Sequence, residues 1–360
     1  MVLFAICGYY YLTNLVLTNK LGYNDLYVYS GDSDTYNDHS TEETIIDMAS
    51  PDELFHSLGT SNLLGMAATV FMAKLINDDN WEYVVLMLNL FILFATLRNY
   101  EIIFKSFGSH RYHIFLFLLL MNPLIIVGLA NVSKEIWGLF IVSAFLRYRL
   151  ERSYVRYLVI TILSFLIRDV YFAIGVLFLV MSSIKINRLL YLIVISLAIP
   201  YVMPSGMIDL LVEGQDEKSI GLAVMMNSIQ SYPFGYLIVY VPKLIISAFA
   251  DLSPLRFFKD QDNIIGTLTT MSSFMSFILT VVIGRALFLK KKCIKPILLD
   301  LFFSYTFIVA VTAFIHHRYL FPLYPILPLI VLTGFLDVKC KEVTAVEDDN
   351  KIILKPAVVQ

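Results

Sequence analysis

Apolar runs approaching the length of a membrane-crossing helix alternate along this chain with short polar breaks. Such runs fall at 2–18, 83–97, 113–130, 135–147, 156–167, 170–184, 189–204, 264–288, 297–315 and 319–336. Two more, 61–76 and 233–250, are ambiguous between spanning and surface segments. The pattern predicts an all-α polytopic membrane protein of about ten transmembrane helices. It forms a single transmembrane domain over 1–336, with a polar cytoplasmic tail over 337–360.

Composition agrees. The chain is 58% hydrophobic and 16% charged, and its 27 Phe and 22 Tyr against 2 Trp suit lipid-facing packing and interfacial belts. Lys and Arg occur in short clusters between apolar runs, without the basic stripe of a nucleic-acid partner. The first run lacks a basic leader and a small-residue cleavage site, which predicts a retained span rather than a signal peptide. Cys7 lies in a predicted span, Cys293 and Cys340 in predicted cytoplasmic segments, and no disulfide is expected.

Charge sets the sidedness. With 61–76 and 233–250 left out of the count, both termini face the cytoplasm and 18 of the 27 basic residues lie inside. The same arrangement puts 21 of the 29 acids outside, in keeping with the positive-inside rule. A crossing at 61–76 would instead turn the Arg147, Arg149, Arg152 cluster outward. Residues 19–82 therefore read as a first outer loop with a surface helix at 61–76, and 233–250 as interfacial or re-entrant.

This sidedness sorts the unusual polar residues onto the outer face. Asp32, Asp34 and Tyr36 belong to the acidic loop Gly31-Asp32-Ser33-Asp34-Thr35-Tyr36, and Lys134 and Glu135 to the start of the fourth span. Arg168 and Asp169 interrupt an apolar stretch between the fifth and sixth spans, and His316, His317 and Arg318 precede the last. Each has a plainer reading. The aspartates suit a solvated turn. Ser133 and Glu135 suit an ordinary helix start. Arg168 and Asp169 suit a local ion pair, and the histidines interfacial anchoring. Ionisable residues at membrane depth nevertheless default to functional candidates. The paired histidines lack Cys or Glu at zinc-ligand spacing, and no calcium-loop pattern surrounds the aspartates, so no cofactor is specified; a divalent cation at Asp32 and Asp34 stays open. No phosphate-cradling glycine loop, nucleophile elbow or Cys-x-x-Cys pair occurs.

Gly31-Asp32-Ser33-x-x-Tyr36 after the first span, Asn122-Pro123, Ser133-Lys134-Glu135 and Arg318-Tyr319-Leu-Phe-Pro322-Leu-Tyr-Pro325 together resemble bacterial envelope glycosyltransferases of the C-type superfamily. The resemblance covers residues from about 25 to 330. It implies a sugar donor carried on polyprenyl phosphate or diphosphate, a glycan or lipid-linked acceptor, and surface-polysaccharide synthesis at the inner membrane. On that likeness Asp32 is the general base and Asp34 assists, while Tyr36, Lys134, Glu135, Arg168, His316, His317 and Arg318 hold the substrate and its lipid phosphate. Many relatives have adjacent acids in the first loop, whereas Ser33 separates them here, so either aspartate suits the role of base. A repeat-unit polymerase of the O-antigen type is an alternative within this class. A lipid-linked oligosaccharide flippase is an alternative outside it, and it would need more charge inside the spans. A membrane acyltransferase would need a His-Asp pair on a span, which the sequence lacks, and a scaffold gives no reason for four polar groups on one face.

Overall fold

A computed structural model describes residues 37–50, 61–130, 132, 134–184, 187–202, 222–230, 232–249, 264–289, 293–311 and 317–336. Helix dominates, as the apolar runs predict. The elements are α1 (Glu42–Met48), α2 (Ser61–Ile76), α3 (Trp81–Ser106), α4 (Tyr112–Leu120), α5 (Leu124–Ala130), α6 (Lys134–Leu150), α7 (Tyr154–Ile167) and α8 (Asp169–Ser183). They continue with α9 (Arg188–Val202), α10 (Leu222–Gln230), α11 (Gly235–Phe249), α12 (Ile264–Phe288), α13 (Pro296–Val311), α14 (His317–Leu320) and α15 (Ile326–Leu329). Two of these, α3 and α12, are long and apolar enough to cross a membrane. The others that are apolar are shorter.

Two predicted spans are divided. The run 113–130 breaks at Asn122-Pro123 into α4 and α5, because proline lacks the N–H that a continuous helix needs. Asn122 Oδ1 accepts the Leu124 N–H, and the freed carbonyl of Leu118 accepts from Tyr324 Oη at 3.0 Å. The run 319–336 is likewise interrupted. Pro322 lies in a 3-10 turn over Phe321–Leu323, Pro325 precedes α15, and a π-turn over Ile330–Gly334 follows. A strand pair that the apolar pattern does not announce, β1 (Cys293–Ile294) with β2 (Phe335–Leu336), is antiparallel and ties the start of α13 to the end of that last segment.

The core is built by α3, α6, α7, α8 and α13. Within this apolar core, two helices turn small polar residues inward and large apolar ones outward. On α7 the buried positions include Thr161 and Ser164, while Val155, Leu158, Ile162 and Leu166 are exposed. On α12 Ser272 and Ser273 are fully buried, and Phe274, Phe277 and Val281 are exposed. Exposed apolar surface on this scale suits contact with lipid, and buried small polar residues suit helix packing without a hydrophobic drive. Between α3 and α6, Asn99 Nδ2 donates to Ser143 Oγ at 2.9 Å and Arg147 Nη1 donates to Asn99 Oδ1 at 3.0 Å. At the other end of α3, Asn89 Nδ2 donates to the carbonyls of Gly128 and Leu129.

These contacts orient the bundle. The helices α3 and α6 run parallel, and α7 returns antiparallel, so the α2–α3 turn, the start of α6 and the end of α7 lie at one end. At that end Gly65 of α2 packs on α7 so closely that a Cβ there would stand 2.2 Å from the Leu166 carbonyl oxygen. The helix α2 thus touches the end of α7 and, five residues past its last turn, leads into α3. Farther along the chain, α10 and α11 form a helical pair against the last turns of α13, where Tyr236 Oη reaches the Phe307 carbonyl and Tyr240 Oη meets Thr306 Oγ1.

Candidate functional site at one end of the bundle

Arg168 stands between α7 and α8 in extended backbone, φ −168° and ψ 127°. Its N–H still closes the end of α7 on Ser164 O at 2.9 Å, and its carbonyl accepts from Tyr171 N at 3.0 Å. One residue therefore ends one helix and starts the next, and the break turns its side chain into the bundle. The predicted local ion pair is not formed: Asp169 Oδ1 instead accepts the Val170 N–H at 2.7 Å, where the positive end of the α8 dipole suits a carboxylate. None of the ion pairs among the described residues joins Arg168 to Asp169.

Three tyrosines surround the guanidinium. Its carbon lies 4.4 Å from the centroid of the Tyr319 ring, a cation–π geometry. The Tyr171 hydroxyl lies beside Arg168 and Tyr305, and it reaches the Lys134 carbonyl at 3.4 Å. Tyr305 Oη donates to the Tyr319 carbonyl at 2.7 Å. Burial disfavours the Arg168 charge, yet Tyr171, Tyr319, Glu135 and Tyr305 outweigh it and hold the group above its ordinary pKa, so it remains a cation. Its Nε is buried and finds no acceptor among the described residues. A buried cationic N–H without a partner is costly, and an anion entering the site would satisfy it.

Close packing of α6 on α8 makes this arrangement. A Cβ at Gly138 would stand 2.1 Å from Tyr171 Oη and 2.8 Å from Pro322 Cγ. The absence of a side chain there lets Tyr171 lie across the first turn of α6, beside Lys134 and Glu135, and lets the proline-rich segment after Tyr319 close over it.

The structure thus brings Lys134, Glu135, Arg168 and the residue after Arg318 to one end of the bundle. Lys134 and Glu135 are half-buried in the first turn of α6. The backbone of His317 and Arg318 lies in α14, next to Tyr319, but their side chains, together with Asp32, Asp34, Tyr36 and His316, lie outside the described residues. Sequence reasoning omitted Tyr171 and Tyr305. Their hydroxyls stand in apolar helices and need partners, but that signal is shared by many of the 22 tyrosines.

Beside the site, a cavity of about 170 Å³ runs between α11, α12, α13 and the segment after Tyr319. Leu244, Ile245, Phe302, Leu320, Leu323 and Leu327 line it, and its surface is almost wholly apolar.

No family model, curated protein or solved structure matches this chain.

Proposed function

We propose that this protein is a membrane glycosyltransferase that takes a sugar from a polyprenyl phosphate or diphosphate and passes it to a glycan or lipid-linked acceptor during surface-polysaccharide synthesis. The observation behind the reading is the half-buried Arg168 cation, seated on Tyr319 with a buried, unpartnered Nε and placed beside Lys134 and Glu135. A desolvated cation with a spare donor suits a phosphate. The adjoining apolar cavity suits an isoprenoid chain, which needs no polar partner. In this reading the chain has ten crossings with both termini inside, α2 lies on the outer surface, α11 is interfacial or re-entrant, and the site opens on the outer face of the inner membrane. The charge distribution supports that orientation.

The chemistry follows from these groups. Asp32, or Asp34 in its place, takes the proton of the acceptor hydroxyl as its oxygen attacks the anomeric carbon. The bond from that carbon to the lipid phosphate oxygen breaks, and the electron pair leaves with the phosphate. Arg168, Lys134 and Arg318 oppose the charge that develops there, in a site where water is scarce and electrostatic stabilisation is strong. The carboxylate contributes about 10²–10⁴-fold as general base. A repeat-unit polymerase would use the same groups, with a growing chain as donor.

The test is the glycan made by cells whose only copy carries Asp32→Asn, Asp34→Asn or Arg168→Gln. Shortened or absent surface polysaccharide is expected for Arg168→Gln and for at least one aspartate variant, at unchanged protein levels. Normal polysaccharide in all three would sink the reading.

A further inference from the structure

At the end of the bundle opposite Arg168 the structure holds a second cavity, of about 680 Å³, lined by residues of α6, α8, α9 and α13 that include Arg149, Arg188 and Asp300. From Asp169 to Ser182 the rise of α8 separates the two sites by about 20 Å. Arg149 is fixed to the end of α8, where its Nε donates to Ser182 Oγ at 2.7 Å and its Nη2 to the Ser182 carbonyl at 2.8 Å. Arg188 opens α9, and its Nε donates to Asp300 Oδ1 at 2.9 Å while Nη2 lies 2.7 Å from the same oxygen. Arg188 is therefore held by one edge, while Arg149 is held on both sides, its Nη1 also donating to Tyr154 Oη at 3.4 Å. Among the described residues the Nη1 of Arg188 has no acceptor, so its outer edge remains available toward the cavity.

The charge balance and the walls narrow the ligand. Among the described residues that line it, two guanidinium groups face one carboxylate, a surplus of one positive charge, which a single phosphodiester neutralises. Met181 and Ile297 supply apolar wall, and beside the cavity Ile184, Leu189 and Leu190 are exposed at 48%, 57% and 47%. A wholly water-soluble anion gains nothing from those side chains. An amphiphile buries them.

We infer that this cavity is a binding site for a phosphate ester, the headgroup of an anionic phospholipid in the leaflet opposite the Arg168 site, with its acyl chains along Ile184, Leu189 and Leu190. The site is separate from the glycosyl-transfer reading and stands without it. Arg149 and the Nη1 edge of Arg188 contact the phosphate oxygens, and Asp300 keeps Arg188 turned toward them. Bidentate guanidinium contacts and juxtamembrane basic residues are the usual means of holding such groups.

The experiment titrates the purified full chain in a neutral detergent with phosphatidylglycerol, with phosphatidylcholine and with inorganic phosphate, read by native mass spectrometry. Phosphatidylglycerol is expected to bind in preference to phosphatidylcholine, and Arg149→Gln to weaken it roughly fivefold, the scale of one basic residue at a membrane surface. Arg156→Gln, which removes an exposed arginine of α7 outside the cavity, is expected to leave binding unchanged. Because Arg188→Gln alone strands Asp300 and threatens the fold, Arg188→Leu with Asp300→Leu removes the pair together and is expected to lose the lipid. Millimolar phosphate that displaces phosphatidylglycerol would confirm the phosphate site and place its natural occupant among soluble phosphate esters. Equal binding by wild type and Arg149→Gln, or equal loss in Arg149→Gln and Arg156→Gln, would overturn the inference.

Discussion

The guanidinium carbon of Arg168 stands 4.4 Å from the centroid of the Tyr319 ring, joining the α7–α8 break to the residue that follows Arg318. The contact leaves the Nε of Arg168 buried and without an acceptor among the described residues, while Tyr171 and Tyr305 donate to the carbonyls of Lys134 and Tyr319. An assembly that binds a cation by its face and leaves a donor open is poised to receive an anion.

Tyr319→Phe keeps the ring and is expected to bind undecaprenyl phosphate as the wild type does. Tyr319→Leu removes a cation–π contact that contributes about 0.5–2 kcal/mol. Its affinity for that lipid is expected to fall by roughly 2–30-fold. A fluorescence titration of the purified protein reads the difference, and equal affinities for the two variants would mean that the ring does not organise the cation.

Gly138→Ala introduces a Cβ 2.1 Å from Tyr171 Oη, so Tyr171 or the proline segment must move. Overpacking of this kind costs about 1–3 kcal/mol. A lower midpoint is expected in a thermal-stability assay read by size-exclusion chromatography, together with reduced polysaccharide synthesis. Gly284→Ala, at a glycine with open space where a Cβ would lie, is expected to match the wild type in both.

Lys243 is 1% exposed, and its Nζ donates to Gln230 Oε1 and to the Ala310 carbonyl at 3.3 Å. Gln230 Nε2 in turn donates to the Val311 carbonyl at 2.7 Å, so the α10–α11 pair caps the carbonyls at the end of α13. Lys243→Met removes the bonds to Gln230 Oε1 and the Ala310 carbonyl, at a cost of about 1–3 kcal/mol. Amide hydrogen exchange is expected to quicken in α10, α11 and the last turn of α13, with α3 and α6 unchanged. Uniform quickening across the bundle would assign Lys243 a global role instead.

Cys293 is exposed in β1 and free. In a Cys7→Ser, Cys340→Ser background, a membrane-impermeant maleimide is expected to leave Cys293 unlabelled in spheroplasts and to label it in inverted vesicles. A cysteine placed by Ser133→Cys is expected to show the reverse. Labelling of both from one face would contradict the proposed orientation and with it the sidedness of the Arg168 site.

Much of the bundle was legible in the order of apolar and polar residues. The runs 135–147, 156–167, 170–184 and 61–76 correspond closely to α6, α7, α8 and α2, since in each an apolar run ends at charged or turn-forming residues. Continuous helix is interrupted at 113–130 and 319–336, where run length gives no sign of the break. Pro123 divides the first, and Pro322, Pro325 and Pro328 lie in the second.

The sequence by itself determined that this chain is helical and apolar, and that Lys134, Glu135, Arg168 and the Arg318 segment share a side, because charge asymmetry and run spacing are properties of the linear order. Only the tertiary structure decided which partners meet Arg168. That Tyr171 and Tyr305, of all the buried tyrosines, come to lie beside Arg168 depends on how α8 and α13 are rotated about their own axes. The rotation is set by the Gly138 contact with Tyr171 and Pro322 and by buried hydrogen bonds across helices, none of which has a signature in sequence spacing. The second cavity has the same origin, since Arg149, Arg188 and Asp300 become neighbours only when the end of α6 meets the starts of α9 and α13.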